Sequence, residues 1–407
     1  MPEAYSKSSP LIARQAEQLS LEWVKSEADI PADLWEKCFP PPFEGRWWYS
    51  VLELSGLESQ FRFSYGLLSS DGQSIGIVPV FLNDVPIELV APDNIAVGFR
   101  LLSKIIPACG YQRTLFVGSP CADEGTVGLI AGINLSDVAA FIHAQLIKQA
   151  SLVKAPMIVW KDFPSESESA LDILCTNGRA FKMVSYPGTV VQLSQASMEA
   201  YLKGLKSSHR HNLLKKLKRS KQKFPLQVSV IQNPDEQTLD EIFALFWQTY
   251  ERGKTKFERL DKKFFSLISQ EKPAWYVLLR EEGSARGKLV AFMLCFLIGD
   301  RVINKFIGLD YSISRDANLY YQLWSAAMEW TVSQGVKELQ NGQTGYRFKI
   351  DTGNTLIPLF NYCQNRNPLI NFIYAKLSST ISWASLDEDL RIFLEAHPQE
   401  NEVNKSN

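Results

Sequence analysis

The chain has 407 residues, more than one hydrophobic core ordinarily accommodates, so we expect two domains. Hydrophobic residues make up 45% of the sequence and charged residues 21%, a globular balance that excludes wholesale disorder. The formal net charge is −1, which excludes a global field attracting the protein to nucleic acid or to an anionic membrane. Any such attraction must come from a local cluster of charge.

The 6 cysteines are widely spaced, without a C-x-x-C pair or clustered histidines. This spacing indicates neither a disulfide framework nor a zinc site, and we expect no metal. The first 20 residues lack the apolar run of a secretory signal. The longest apolar run, residues 289–298, is about half of the roughly 20 residues that a spanning helix needs. We therefore expect a soluble, cytoplasmic protein with flexible ends at residues 1–20 and 396–407.

The first half of the chain predicts strands followed by one helix-strand unit. Strands are expected at residues 61–68, 74–82, 87–90 and 157–160, and an amphipathic helix is expected at residues 137–149. The turn residues Tyr186, Pro187 and Gly188 precede a further strand at residues 189–193. We place the domain boundary at this turn, which gives modules of residues 21–187 and 188–385.

Residues 203–223 form the most unusual segment, because they carry many lysines and arginines and no acidic residue. Leu213 and Leu217 supply an apolar side, which predicts an amphipathic basic helix or a helix pair. The segment is either a solvated surface or a site for a phosphate-rich partner such as a coenzyme A diphosphate, a nucleotide-linked sugar or RNA. His209 and His211 point apart on a helix, so we assign them no metal.

The second half predicts helices, a three-stranded meander, a crossover helix and a strand. Asn233 is the expected N-cap of a helix whose apolar residues extend to Tyr250. Strands follow at residues 275–280, 289–298 and 301–309, the last two joined by a turn at Gly299 and Asp300. A helix at residues 320–331 leads to a strand at residues 336–340, and this crossover implies a parallel pair in a mixed sheet.

Two loops of this half carry candidate site residues. The loop before the crossover helix contains Ser314, Arg315 and Asn318, and a helix N-terminus suits a pyrophosphate or a developing oxyanion. The alternative is simple capping of the helix. A polar, glycine-punctuated loop at residues 341–349 follows the last strand, and its Gln343 is a hydrogen-bonding candidate. Tyr346 and Lys349 in that loop are candidate acid or electrostatic stabilisers, unless the loop is an ordinary surface connection.

Several motifs, taken in order, resemble the GNAT superfamily in its tandem branch related to FemAB-like proteins of peptidoglycan biosynthesis or recognition. In the first half they are Pro42-Phe43, the segments at residues 52–56 and 74–81, and Gly118-Ser119-Pro120. In the second half they are Ser207, Arg210 and Asn212 in an S-x-x-R-x-N pattern, the segment Leu319-Tyr320-Tyr321, and Gly342-Gln343-x-Gly345 with Lys349 and Gly353. The resemblance extends from about residue 41 to residue 362 and implies an α/β fold of two tandem GNAT-like modules, with mixed, mostly antiparallel sheets flanked by helices.

The resemblance implies an N-acyltransferase that moves an acyl or aminoacyl group from acyl-CoA (acetyl-CoA) or aminoacyl-tRNA to an amine of a small molecule or peptide, in cell-envelope or peptidoglycan metabolism. Under this hypothesis we assign catalytic roles to Tyr320, Tyr346 and Lys349 and donor binding to Ser314, Arg315, Asn318 and Arg210. Substrate binding falls to Gln343, Asn341 and Trp48. The sequence lacks a clear Q/R-x-x-G-x-G/A loop for the coenzyme A pyrophosphate. The alternative is a non-catalytic, degenerate GNAT module that binds RNA or an anionic precursor through residues 203–223.

Overall fold

Two β-sheets organise the protein, for which a computed structural model describes residues 19–86, 111–176, 179–193, 197–253, 258–283 and 286–399. The first sheet contains β1 (Leu19–Val24), β2 (Arg62–Ser70), β3 (Gln73–Pro86), β4 (Tyr111–Val117), β5 (Gly128–Leu129), β6 (Met157–Pro164), β7 (Phe181–Val184) and β15 (Leu359–Asn365). The second contains β8 (Gly188–Gln192), β9 (Leu226–Ile231), β10 (Ala274–Glu281), β11 (Leu289–Ile298), β12 (Arg301–Leu309), β13 (Glu338–Gln340) and β14 (Thr355–Ile357).

Helices flank both sheets. In the first half they are α1 (Ala32–Cys38), α2 (Arg46–Leu54), α3 (Leu135–Leu152), α4 (Glu168–Leu171) and α5 (Ile173–Thr176). In the second half they are α6 (Met198–Gly204), α7 (Ser207–Lys223), α8 (Glu236–Arg252), α9 (Lys262–Ile268), α10 (Leu319–Ser333), α11 (Tyr346–Asp351), α12 (Pro368–Ser378), α13 (Trp383–Leu386) and α14 (Glu388–Ala396). The predicted fold class, mixed and mostly antiparallel sheets flanked by helices, is confirmed.

Each sheet contains one parallel pair that a crossover helix creates. In the first sheet, β4 is parallel to β6 and the connection includes α3. In the second, β12 is parallel to β13 and the connection is α10. The other pairs in both sheets are antiparallel. The helix followed by a strand that the sequence predicts in each half of the chain therefore appears once in each sheet.

Hairpin turns determine the register of both sheets. Ser70 pairs with Gln73, and Asp71 and Gly72 between them both have positive φ, at 53° and 78°. These angles belong to the tight turns that match the twist of a hairpin. The predicted turn at Gly299 and Asp300 is also confirmed, because Ile298 pairs directly with Arg301 across it.

Three local predictions were wrong or fall elsewhere. The predicted flexible N-terminal end includes residues 19 and 20, which begin β1 and pair with β2. The helix α8 is capped by Asp235, whose Oδ1 accepts the Thr238 N–H at 2.8 Å, and not by Asn233. Asn233 instead adopts a left-handed conformation with φ of 47°, which suits the turn before the helix. The predicted strand at residues 87–90 lies outside the described residues.

Strand β15 connects the two halves of the fold. It follows the last strand of the second sheet, yet it enters the first sheet between β6 and β7. The predicted boundary at residues 187 and 188 separates β7 from β8, which belong to different sheets, but β15 crosses this division. The largest hydrophobic core is also shared, because Trp48 of α2 packs edge-on against Phe264 and Phe296 of the second half. The division into two modules remains a prediction.

Candidate functional site

The second sheet opens between β12 and β13. The two strands pair at only three positions, from Arg301 with Glu338 to Ile303 with Gln340. Strand β12 continues to Leu309, whereas the chain leaves β13 and turns into the loop that begins at Asn341. The strands therefore separate at Asn304 and Asn341. At this point Nδ2 of the Asn304 side chain donates a hydrogen bond to Oδ1 of the Asn341 side chain.

A buried lysine holds the loop that follows β13. Lys349 is 6% exposed, and its Nζ donates to the backbone carbonyls of Asn341 at 2.5 Å, Gly342 at 3.1 Å and Gln343 at 3.1 Å. An ammonium group has three N–H donors, so these contacts use all of them. Burial lowers the pKa of Lys349 to about 7, because the charged form loses its hydration. The amine that the sequence proposed for catalysis is therefore a clamp on the loop.

The first half of the chain supplies the facing wall. Lys305 of β12 is buried between the carboxylates of Glu44 at 3.0 Å and Asp123 at 3.2 Å, and its Nζ lies 5.0 Å from the centroid of the Trp48 ring. Burial alone would lower the pKa of Lys305, but the two carboxylates outweigh it and raise that pKa above its ordinary value. Gly342 approaches this wall so closely that a Cβ there would lie 2.9 Å from Asp123 Oδ1.

Two further, half-buried carboxylates lie along this junction. Glu124 accepts a hydrogen bond from Gln340 Nε2 at 3.0 Å and lies 3.8 Å from Arg301. Glu258 accepts the backbone N–H of Cys121 at 3.0 Å. Burial raises the pKa of both carboxyl groups, although neighbouring cations oppose the shift. The sequence analysis missed these residues, since each is an ordinary acid in a loop of its own segment.

Gln343 carries an unused hydrogen-bond donor. Within the described residues, its Nε2 is one of two buried side-chain nitrogen or oxygen atoms without a hydrogen-bond partner, and Trp324 Nε1 is the other. Asn341, by contrast, is fully engaged, because its side chain contacts Asn304 and Asn354 and its backbone contacts Thr189 and Lys349. Of the residues predicted to bind substrate, Gln343 thus has a side-chain donor without a partner in the described part of the chain, and its role in binding remains a prediction.

The predicted acids occupy different environments. Tyr346 is fully buried, and its hydroxyl donates to the Pro187 carbonyl at 2.9 Å, which leaves it a role in packing. Tyr320 lies against the Phe348 ring at a centroid distance of 4.6 Å, and burial raises its pKa to about 12. The Tyr320 hydroxyl therefore retains its proton at neutral pH. The sequence analysis placed residues 346–349 in a loop, but they begin the helix α11.

The loop before α10 is tightly bonded to itself. The backbone amides of Ala317, Asn318 and Leu319 donate to the carbonyls of Ile313, Arg315 and Ser314 at 2.8, 3.3 and 3.0 Å. The Ala317 carbonyl in turn accepts hydrogen bonds from Ser220 and Gln322. Arg315 is exposed, and Ser314 and Asn318 are half-buried. Three of the amides that the sequence assigned to an oxyanion or pyrophosphate are therefore already used.

The basic helix α7 packs beside this loop. Leu213, Leu217 and Ser220 face inward, whereas its exposed residues include Lys215, Lys216, Lys218, Arg219, Lys221 and Lys223. The Lys216 Nζ donates to the Tyr321 hydroxyl at 2.6 Å, which ties α7 to α10. Arg210 donates to the Lys203 carbonyl at 3.0 Å and bridges α7 to α6. The prediction of a helix pair with one basic face is confirmed.

The predicted residues thus form two groups. Trp48, Asn341, Gln343 and Lys349 gather at the junction of the two sheets, with Tyr346 packed behind them. Ser314, Arg315, Asn318 and Arg210 lie around α7 and the start of α10. Tyr320 connects the groups through Phe348 of α11. In the described part of the chain, no group of three His, Cys, Asp or Glu residues is arranged to hold a metal ion, and no helix is long and apolar enough to span a membrane.

Comparison with solved structures defines the class of the fold. The crystal structure of FemX matches with a TM-score of 0.54 at 14% identity, over 87% of this chain and 100% of that chain. The structure of L-PGS from Bacillus licheniformis matches with a TM-score of 0.48 at 13% identity, over 84% and 97%. A tandem GNAT protein from the clavulanic acid biosynthesis pathway matches with a TM-score of 0.48 at 11% identity, over 85% and 98%. The match to FemX shows that the two proteins share a fold.

The sequence itself specifies the family more closely. Residues 188–362 match the FemAB-like family, which is described as peptidoglycan biosynthesis/recognition. This segment includes the second sheet, α7, α10 and the loop held by Lys349. The resemblance predicted from the motifs is confirmed. No curated protein matches the sequence.

Proposed function

We propose that the protein is an acyl or aminoacyl transferase whose acceptor is an amine of a peptidoglycan precursor. The FemAB-like match at residues 188–362 and the fold similarity to FemX support this reaction class. The observation that carries the proposal is the opening of the sheet between β12 and β13, where the loop that follows β13 contains the unpaired donor of Gln343. An activated carbonyl needs such a donor when its oxygen becomes negative.

Of the two donors, acyl-CoA and aminoacyl-tRNA, we favour aminoacyl-tRNA. A pyrophosphate at a helix N-terminus needs free backbone amides, and those of Ala317, Asn318 and Leu319 donate within their own loop. The residues present therefore do not fit a coenzyme A pyrophosphate at this position. The exposed row of lysines and arginines on α7 instead suits a long polyanion.

The chemistry follows from an ester donor and an amine acceptor. The amine nitrogen forms a bond to the ester carbonyl carbon, the ester C–O bond breaks, and the proton that the amine loses is balanced by one on the leaving oxygen. We assign the carbonyl oxygen to Gln343 Nε2, which has no other acceptor. We assign the leaving oxygen to Tyr320, whose raised pKa keeps its hydroxyl protonated.

A non-catalytic RNA-binding module is the second candidate. It is favoured by the internal engagement of Tyr346, whose hydroxyl contacts Pro187, and of the amides before α10. Such a module needs only the basic face of α7. It predicts RNA affinity that falls steeply with salt and no transfer to any acceptor.

A transfer assay separates these possibilities. The protein is incubated with charged total tRNA or with acetyl-CoA, together with a peptidoglycan-precursor peptide that has a free side-chain amine, and the product is identified by its mass. We expect transfer from charged tRNA and its loss in the Gln343→Ala variant. Transfer from acetyl-CoA alone would reject the tRNA donor, and transfer from neither would reject the enzyme.

The role of α7 is tested separately by replacing Lys215, Lys216, Lys218 and Arg219 with glutamine. We expect weaker tRNA binding and a salt dependence whose slope in log K against log salt is smaller by roughly 3, since each phosphate contact contributes about 0.7 to 0.9. The matched control replaces four exposed lysines elsewhere, Lys25, Lys148, Lys263 and Lys272, with glutamine. Equal losses in both variants would show that the attraction is not localised on α7.

A further inference from the structure

The helix α12 has its apolar side chains on the outside. Leu369 is 69% exposed, Phe372 60% and Ile373 46%, and Ile370 is also exposed. The inward face, spaced as i, i+3 and i+7, consists of Asn371, Tyr374 and Ser378. A surface helix of a globular protein ordinarily has the opposite arrangement, so this apolar face needs a partner.

Polar contacts hold the helix in this orientation. The Asn371 side chain donates to the Arg179 carbonyl at 2.7 Å and accepts the Asn365 N–H at 2.7 Å. At the N-terminus, Asn367 Oδ1 accepts the backbone amides of Leu369 and Ile370. The inward face is therefore anchored to β7 and β15, and the helix cannot bury its apolar residues by rotating without breaking these bonds.

The surface around the apolar face is cationic. Arg366 and Lys376 flank the helix, and Arg179 and Lys154 lie on the adjoining segments, all exposed. The adjoining segments connect through hydrogen bonds, because the Arg366 amide donates to the Pro156 carbonyl at 2.7 Å and Asn371 contacts residue 179. Residues 150–157, 179–184 and 361–386, which build this surface, contain no aspartate or glutamate.

The acids in contact with these segments are already paired. The Glu168 carboxylate forms an ion pair with Lys182 Nζ, and the Asp172 carboxylate lies 3.6 Å from the same nitrogen. A further apolar residue, Leu152, is 78% exposed at the end of α3, four residues before Pro156. The surface therefore combines protruding aliphatic and aromatic side chains with unopposed positive charge.

We propose that α12 and its cationic rim bind the surface of an anionic lipid bilayer, with Leu369, Phe372 and Ile373 inserted among the acyl chains. An interfacial helix needs an apolar face, to enter the boundary between headgroups and chains, and basic residues at the headgroup level. Arg366, Lys376 and Lys154 occupy the second position. A protein partner of matching shape would need carboxylates facing this rim, whereas the headgroup phosphates of an anionic membrane supply negative charge at any orientation.

The test is sedimentation of the full chain with vesicles of phosphatidylglycerol and phosphatidylethanolamine, compared with vesicles of phosphatidylcholine alone. We expect binding to the anionic vesicles only, weakened by salt. The Phe372→Glu, Ile373→Glu double variant is expected to lose roughly 100-fold or more in partitioning. Replacing Arg366 and Lys376 with glutamine is expected to lose roughly 5-fold for each residue.

Matched variants distinguish this surface from others. Leu54→Glu with Val228→Glu changes two exposed apolar residues elsewhere and is expected to leave vesicle binding unchanged. Binding lost with the glutamine variant of α7 but retained with the α12 variant would overturn the proposal. A wild-type dimer that the α12 variant converts to a monomer would also overturn the proposal. Protection of α12 from hydrogen exchange by residues 87–110 in the absence of lipid would overturn it as well. Unchanged thermal unfolding of the α12 variant would show that the fold is intact.

Discussion

The buried cation between the two modules provides the sharpest test of the fold. Lys305 is 1% exposed in its side chain and compensates both Glu44 and Asp123. Replacing Lys305 with methionine preserves much of its length but leaves two carboxylates without their cation. Removing one partner of a buried ion pair ordinarily costs about 3–5 kcal/mol, so we expect a loss of this size in the free energy of unfolding.

Urea denaturation, followed by both tryptophan fluorescence and far-UV circular dichroism, measures this loss. The matched control is Lys37→Met, because Lys37 forms a solvent-exposed pair with Asp33 and such pairs contribute little to stability. Adding Asp123→Asn to Lys305→Met is expected to restore part of the stability, since it removes one of the uncompensated charges. A loss below about 1 kcal/mol for Lys305→Met would refute the buried junction.

Further predictions concern the loop held by Lys349 and the site beside it. The folded pKa of Lys349, about 7, lies below its unfolded value of 10.5, so the unfolded chain holds more protons between these values. The free energy of unfolding of wild type is therefore expected to rise relative to that of Lys349→Met as the pH rises from 7 to 10.5, by up to about 1.4 kcal/mol per pH unit. Urea titrations at several pH values measure this difference. If the free energies of the two proteins changed in parallel with pH, the prediction would be wrong. Gly342→Ala is expected to destabilise the protein by about 1–2 kcal/mol because of its φ of 63°, and by a further amount because the added Cβ would contact Asp123. Gly345→Ala is the control, because Gly345 has a similar φ of 65° but no neighbour within 4 Å, so this variant measures the backbone cost alone. Equal losses in the two glycine variants, measured by thermal unfolding, would remove the argument for close contact. Tyr320→Phe is expected to lower kcat roughly 100-fold with little change in KM in the transfer assay, and an unchanged kcat would exclude Tyr320 as the acid.

The central strands of the second sheet were predictable from the sequence because they satisfy strong local rules. Strand β11 is a continuous apolar run, buried at nearly every position, and a two-residue turn joins it to β12. The crossover helix α10 has its apolar period and ends before Gly335, whose φ is 68°. Each of these signals lies within a window of a few residues, so the sequence alone specifies them.

The junction was not predictable, because it depends on contacts between distant residues. Lys305 meets Glu44 and Asp123 across 261 and 182 positions of the chain. In the sequence, Lys305 is one cation within a strand and nothing indicates that it is buried. Lys349 is similar, since only the fold shows that its three N–H groups are all occupied.

Among the helices that were not predicted, α11 and α12 were missed for local reasons. The helix α11 has six residues and follows Thr344 and Gly345, both with positive φ, so its segment resembles a loop. The helix α12 has an apolar face that points outward. Helical periodicity in a sequence indicates that a helix has an apolar face, but it does not indicate whether that face points to the core or to solvent. Strand β15 was also missed, because its partners β6 and β7 belong to the other half of the chain.

The route of β15 has a consequence for how the protein is made. Strand β7 is paired with β15 in the described structure, and β15 leaves the ribosome only after every strand of the second sheet has been translated. Until then β6 has an open edge that invites pairing with other chains. A gene divided between residues 187 and 188 would therefore yield an N-terminal fragment that is prone to aggregate, and adding a peptide of residues 359–365 would be the means to rescue it.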